Sequence, residues 1–188
     1  MAKIEDVLKA AIVQMPVKEK DKLLLRLVAK DTKLINRLIF ELLEDGASLD
    51  ERALALRKKI LHELPGADAK YLTPGLLMME LRYLSGRITE HVDATKDKVG
   101  DVSLTILMFV EAFRRHLPML NSHPPKRNDK LAIYMCRRMV TILKKAEKLD
   151  EDYHLEFRKD LNDLLSFLWS FKPTAEFAEK FNLPRKFT

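Results

Sequence analysis

The chain has 188 residues, 47% hydrophobic and 33% charged, a balance that supports a core burying roughly 70% of the unfolded surface and excludes intrinsic disorder. Five glycines in the whole chain, together with abundant Leu, Lys, Glu and Ala and no apolar–polar alternation, exclude a turn-rich β fold and point to helices. The net charge of +6 is confined to one region. Residues 126–148 hold eight cations against two acids, Asp129 and Glu147, and the rest of the chain is balanced.

Proline, glycine and capping residues divide the sequence into about eight helical pieces. The first runs from about Ile4 to Met15 and stops at Pro16, and "VKEKDKLLLRLVAK" follows. Asp31 or Thr32 offers an N-cap for "KLINRLIFELLED", which Gly46 ends. Ser48 and Glu51 have capping-box spacing ahead of "RALALRKKILHEL", closed by Pro65-Gly66. Thr73-Pro74 opens a long helix whose stripe is Leu77, Leu81, Leu84, Ile88 and Val92, with Gly86 expected at a close packing contact or a bend. The next helix, Val102 to His116, contains "LTILMFV", apolar nearly all round, as a central helix requires. "PMLNSHPPKRN" is read as a loop, the basic helix occupies 130–148, and an aromatic helix runs from about Asp152 to Phe171. Phe177 and Phe181 define a last short helix before "NLPRKFT".

These pieces predict an all-α fold, either an irregular multi-helix bundle or a short HEAT-like array. The array rests on an echo, "KLLLRLV" at 22–28 and "KLINRLI" at 33–39, eleven residues or three helical turns apart. One domain spanning 1–188 is expected, with a candidate internal boundary near 118–129. The lone Cys136 cannot close an intramolecular disulfide, so a reducing, cytoplasmic location is expected. "MAKIEDVLKAAIVQM" carries Glu5 and Asp6 and reads as an amphipathic helix rather than a signal peptide. No segment approaches the ~18 apolar residues of a membrane span, and no membrane partner is expected.

The chain has no glycine-rich phosphate loop, G-x-S-x-G elbow, H-E-x-x-H or C-x-x-C. Glu151 and His154 share the E-x-x-H spacing of di-iron bundles, which need a second copy and two further glutamates. Cys136 falls at core spacing with Met135 and Met139, where a thiol acts as a small hydrophobe. Glu80, Arg87 and His91 share one side of the long helix, as a polar cluster at the core edge or as a pocket lining. Glu41 with Glu44, and Glu90 with Asp93 and Asp97, form helical carboxylate pairs. They resemble the pairs of all-helical nucleotide pyrophosphohydrolases, and that resemblance implies magnesium held between adjacent helices and a triphosphate substrate. An entire further helix separates the pairs here, and the doubled Glu opening that family's first pair is missing.

On the basic helix, Lys130, Arg137, Lys144 and Lys148 fall opposite the apolar stripe at 100° per residue, a row about 27 Å long at ~1.5 Å per residue. Such a row could track phosphates, or serve as the wet face of a packed helix. The reading that needs none of the missing motifs is a non-catalytic interaction or adaptor domain with a protein partner, no catalytic residue, no metal and no cofactor. Polyanion or nucleic-acid binding through those four cations is the alternative. A magnesium-dependent nucleotide hydrolase is the third.

Overall fold

Asp31 opens the third helix as the sequence requires, its carboxylate accepting from the backbone N–H groups of Lys33 and Leu34 at 3.0 and 3.1 Å. Thr73 does the same for Leu76 at 3.3 Å, with Pro74 at the first helical position. The computed structural model describes residues 4–188, and Met1–Lys3, the start of the stretch read as amphipathic, lie outside them. The described residues are 79% helical with no strand, a multi-helix bundle.

The helices are α1 (Asp6–Gln14), α2 (Val17–Val28), α3 (Thr32–Leu38), α4 (Leu49–Glu63), α5 (Pro74–Thr95), α6 (Lys98–Ser122), α7 (Pro125–Ala146), α8 (Glu151–Ser170) and α9 (Lys172–Lys180). A π-helical turn, Ile39–Leu43, extends α3. The central position expected for "LTILMFV" is occupied by α6, which packs against α4, α5, α7 and α8. Its Ile106, Met108, Phe109 and Phe113 are buried, whereas Leu107 is only half-buried.

The stretch 118–122, read as loop, is helix. Pro118 lies inside α6 and cannot donate to the preceding turn. Side chains take up carbonyls at the helix end: His123 Nδ1 lies 2.9 Å from the Met119 oxygen, and Asn128 Nδ2 donates to that of Leu120 at 3.1 Å. A connection of only Ser122 to Pro125 then leads into α7.

The C-terminal segment packs back. Asn162 holds Phe187 through two backbone hydrogen bonds, Nδ2 donating at 3.1 Å and Oδ1 accepting at 2.7 Å. Leu183 and Phe187 are buried, and Trp169 Nε1 donates to the Pro184 carbonyl at 3.2 Å. At the other end the bundle stops abruptly. Neither α1 nor α2 buries a residue, and among the described residues the first buried side chain is Phe40 in the π turn.

Candidate functional site

The four carboxylates of the two pairs are held by four different cations. Glu41 pairs with Arg37 at 2.7 Å, Glu90 with Arg87 at 2.8 Å and Asp93 with Lys33 at 3.2 Å. Glu44 accepts from Arg52 Nε and Nη2 at 2.7 and 2.6 Å and from the Ser48 hydroxyl. Those donors hold its carboxyl down at about 2. Ser48 is thereby drawn off the capping role its spacing suggested, and makes no side-chain cap to α4. Among the described residues no three His, Cys, Asp or Glu side chains come together as a metal site.

His91 is buried, but not with Glu80 and Arg87. Its Nε2 lies 3.2 Å from Asp97 Oδ2, while Arg87 turns to Glu90. Asp97 also caps α6, accepting from the Gly100 N–H at 2.7 Å. The His91 hydrogen bond, then the backbone N–H groups of Gly100 and Val99, hold the Asp97 carboxyl below its usual range against the opposing effect of burial. A methyl group at Gly100 would meet that carboxylate, so a larger residue there requires the Asp97 side chain to shift. His91 borders an open cleft of about 290 Å³ between α3, α4 and α5, with Asn36, Arg52, Lys59 and Arg87 on its walls. Each wall cation already faces a carboxylate, Arg52 on Glu44, Lys59 on Glu63 and Arg87 on Glu90.

Lys130, Arg137 and Lys144 are exposed along α7, whereas Lys148, read as part of the same helix, lies in the turn beyond its end at Ala146 and is also exposed. None of the four forms an ion pair among the described residues. The acids at 150–152 do not fold back onto them; Asp150 instead caps α8. Arg137 is the exception to a free row, its guanidinium lying over the Phe181 ring 5.6 Å from the centroid. Lys145, outside the row, pairs with Asp101. Cys136 is fully buried, and burial pushes its thiol up to about 12, which removes it as a nucleophile at neutral pH.

The surface that sequence reasoning missed is the α1–α2 arm. Val7 and Val13 are 81% and 73% exposed, Leu24 57% and Leu25 69%. In the π turn Leu42 and Leu43 point outward while Phe40 turns in beneath Arg52, 5.4 Å from the guanidinium. A signal was present in "KLLLRLV". Three successive leucines cannot share one face at 100° per residue, so α2 carries more apolar circumference than a single neighbouring helix covers. Along one face of α2, beginning at Met15 of the α1–α2 connection, lies an open groove of about 330 Å³ lined by Met15, Glu19, Lys22, Leu23 and Arg26. No protein-family model, curated protein or solved structure was found to match the chain.

Proposed function

We propose that the chain is a non-catalytic interaction or adaptor domain whose docking surface is the α1–α2 arm. The observation that carries the reading is that two consecutive helices bury none of their residues while exposing aliphatic side chains along their length. Scattered exposed leucines are ordinary, but a contiguous apolar surface is a hallmark of a binding face. Covering one leucine fully contributes about 1.5–3 kcal/mol, so a few of them suffice to drive association against its entropic cost. A HEAT-like stacking of α2 on α3 and a cytoplasmic location belong to the same proposal. Their support is the 22–28 and 33–39 echo, which falls on the consecutive helices α2 and α3, and the lone buried thiol.

The test is affinity capture from a cell lysate with the native chain and with a Leu24→Gln, Leu27→Gln double variant. The variant should melt at the native temperature, because neither leucine is buried, and should lose the proteins that the native chain retains. Identical capture by both, or none by either, defeats the reading.

Polyanion binding is a second reading, favoured by the exposure of Lys130, Lys144 and Lys148 without ion-pair partners among the described residues. The carboxylate pairs lend the hydrolase reading no comparable support, since each acid is engaged by its own cation.

A further inference from the structure

We infer that the α1–α2 arm takes an acidic amphipathic helix of a partner protein, an inference that rests on the interaction-domain reading and names the partner's chemistry. The first ground is the state of α1. It has nine residues, no side-chain cap and no buried residue, and isolated helices shorter than ~12–15 residues are marginal in water. Its exposed apolar residues Leu8 and Ile12, one helical turn apart, therefore gain their stability when something covers them.

The second ground is charge. Lys18, Lys20, Lys22 and Arg26 stand on α2 against Glu19 and Asp21, with Lys30 just beyond. None of these seven forms an ion pair among the described residues, whereas Lys33, Arg37, Arg52 and Arg87 on the following elements are all paired. At 100° per residue Leu24, Leu27 and Leu23 form an arc that runs directly into Arg26 and Lys22. The groove repeats this order, with Met15 and Leu23 beside the same two cations. Its complement is a row of apolar residues at i, i+3 and i+4 edged by Asp or Glu.

The same features set aside two other occupants. A second copy of the chain would bring the cationic edge of α2 against itself. A lipid surface is flat and asks for apolar groups on one side, but Leu23 and Leu25 diverge by about 160° around α2. A helix laid along the Leu23, Leu24 and Leu27 arc covers that face of α2 together with its Lys22 and Arg26 edge. Opposite charge along its edge also steers the encounter.

The probe is a pair of synthetic helical peptides of about 18 residues, five turns, with one Leu stripe in common and edges of Glu in one and Lys in the other. Their binding to the full chain is measured by fluorescence anisotropy. The Glu peptide should bind at least about tenfold more tightly, a difference of ~1.4 kcal/mol. Lys22→Glu with Arg26→Glu should reverse the preference, and Leu24→Gln with Leu27→Gln should abolish binding at an unchanged melting temperature.

Equal binding of the peptides, binding of neither, or a preference that survives the charge reversal overturns the inference. So does binding to phosphatidylcholine–phosphatidylserine vesicles in place of the peptides, or self-association that the leucine variant abolishes. If the peptides fail while lysate capture still depends on Leu24 and Leu27, the acidic chemistry alone falls. If capture fails as well, the interaction-domain reading falls with it.

Discussion

Arg52 and Glu44 are joined by two hydrogen bonds, Nε at 2.7 Å and Nη2 at 2.6 Å, across the turn that links the π helix to α4. The same guanidinium covers the ring of Phe40, so one side chain fastens the π turn to α4 by charge and by cation–π contact. Glu44 titrates at about 2 in the folded chain against an ordinary value of 4.5, its Arg52 and Ser48 donors favouring the anion. A carboxyl with a depressed folded pKa adds stability that is complete above the unfolded pKa and vanishes as pH falls through the folded one. Native protein should therefore lose this contribution between about pH 4.5 and 2, and Glu44→Gln should flatten that part of the acid limb. Urea midpoints across the range decide it, and parallel acid limbs in the two proteins refute it.

His116 should act in the opposite pH direction from a paired histidine. It is buried in α6 with its Nε2 lacking a partner, and burial is the main cause lowering its pKa below 6.5; a bond to the Pro65 carbonyl opposes this and nearby Arg115 adds to it. Below pH 6.5 the unfolded chain binds a proton that the folded chain refuses, so stability falls as pH drops from 6.5 toward the folded pKa and is complete above 6.5. His116→Gln should be less sensitive than the native protein between pH 5 and 7.5 by urea unfolding. An equal pH slope in the two would show that His116 takes up its proton alike in the folded and unfolded chains.

Within "LTILMFV", Leu107 and Phe109 should behave differently. Phe109 is buried and its ring lies 6.2 Å from that of Tyr134, whereas Leu107 is half-buried at the edge facing α8. Phe109→Ala should cost about 3–5 kcal/mol, the usual range for truncating a buried aromatic, and Leu107→Ala less than about 2. Equal losses in chemical denaturation would contradict this placement of α6.

What the sequence made legible was local and periodic. Asp31, Thr73 and the leucine stripe of α5 act at the positions their spacing implied, because a cap and a 3.6-residue period need only neighbours along the chain. Choices that depend on a distant competitor were hidden. Ser48 has the spacing to cap α4, but Glu44 fixed by Arg52 takes its hydroxyl. Pro118 signals a helix end, yet the Asn128 amide engages a carbonyl of that final turn. His91 finds Asp97 in the next helix's cap, which no spacing rule on α5 contains. The exposed arm was hidden for another reason: an amphipathic pattern states that a face wants cover without stating whether this chain supplies it.

Gly86 gives a direct check on the α5 surface. The position is exposed, and a Cβ built there meets no atom within 4 Å, so the glycine serves neither close packing nor a contact of any kind. Gly86→Ala should raise stability by about 1 kcal/mol, the propensity difference between the two residues inside a helix. Measured destabilisation would mean that α5 is bent at this point and needs the glycine.

The row on α7 separates into two kinds of cation, and their substitutions should separate too. Arg137 stacks on Phe181 and so ties α7 to the end of α9; Arg137→Gln should lower stability by about 0.5–1 kcal/mol, the size of an exposed cation–π contact. Lys130, Lys144 and Lys148 have no such contact among the described residues, and Gln removes the charge while retaining the helix propensity of Lys at the two helical positions, 130 and 144. The triple Lys→Gln variant should therefore melt with the native protein. If the row binds polyanions, native protein will be retained on heparin and will bind duplex DNA with a log–log salt slope near −2.7 from these three lysines, at ~0.9 per phosphate. The triple variant will then lose that slope while Arg137→Gln keeps most of it. Absence of retention at low salt, or retention unchanged in the triple variant, would make the row a solvated face.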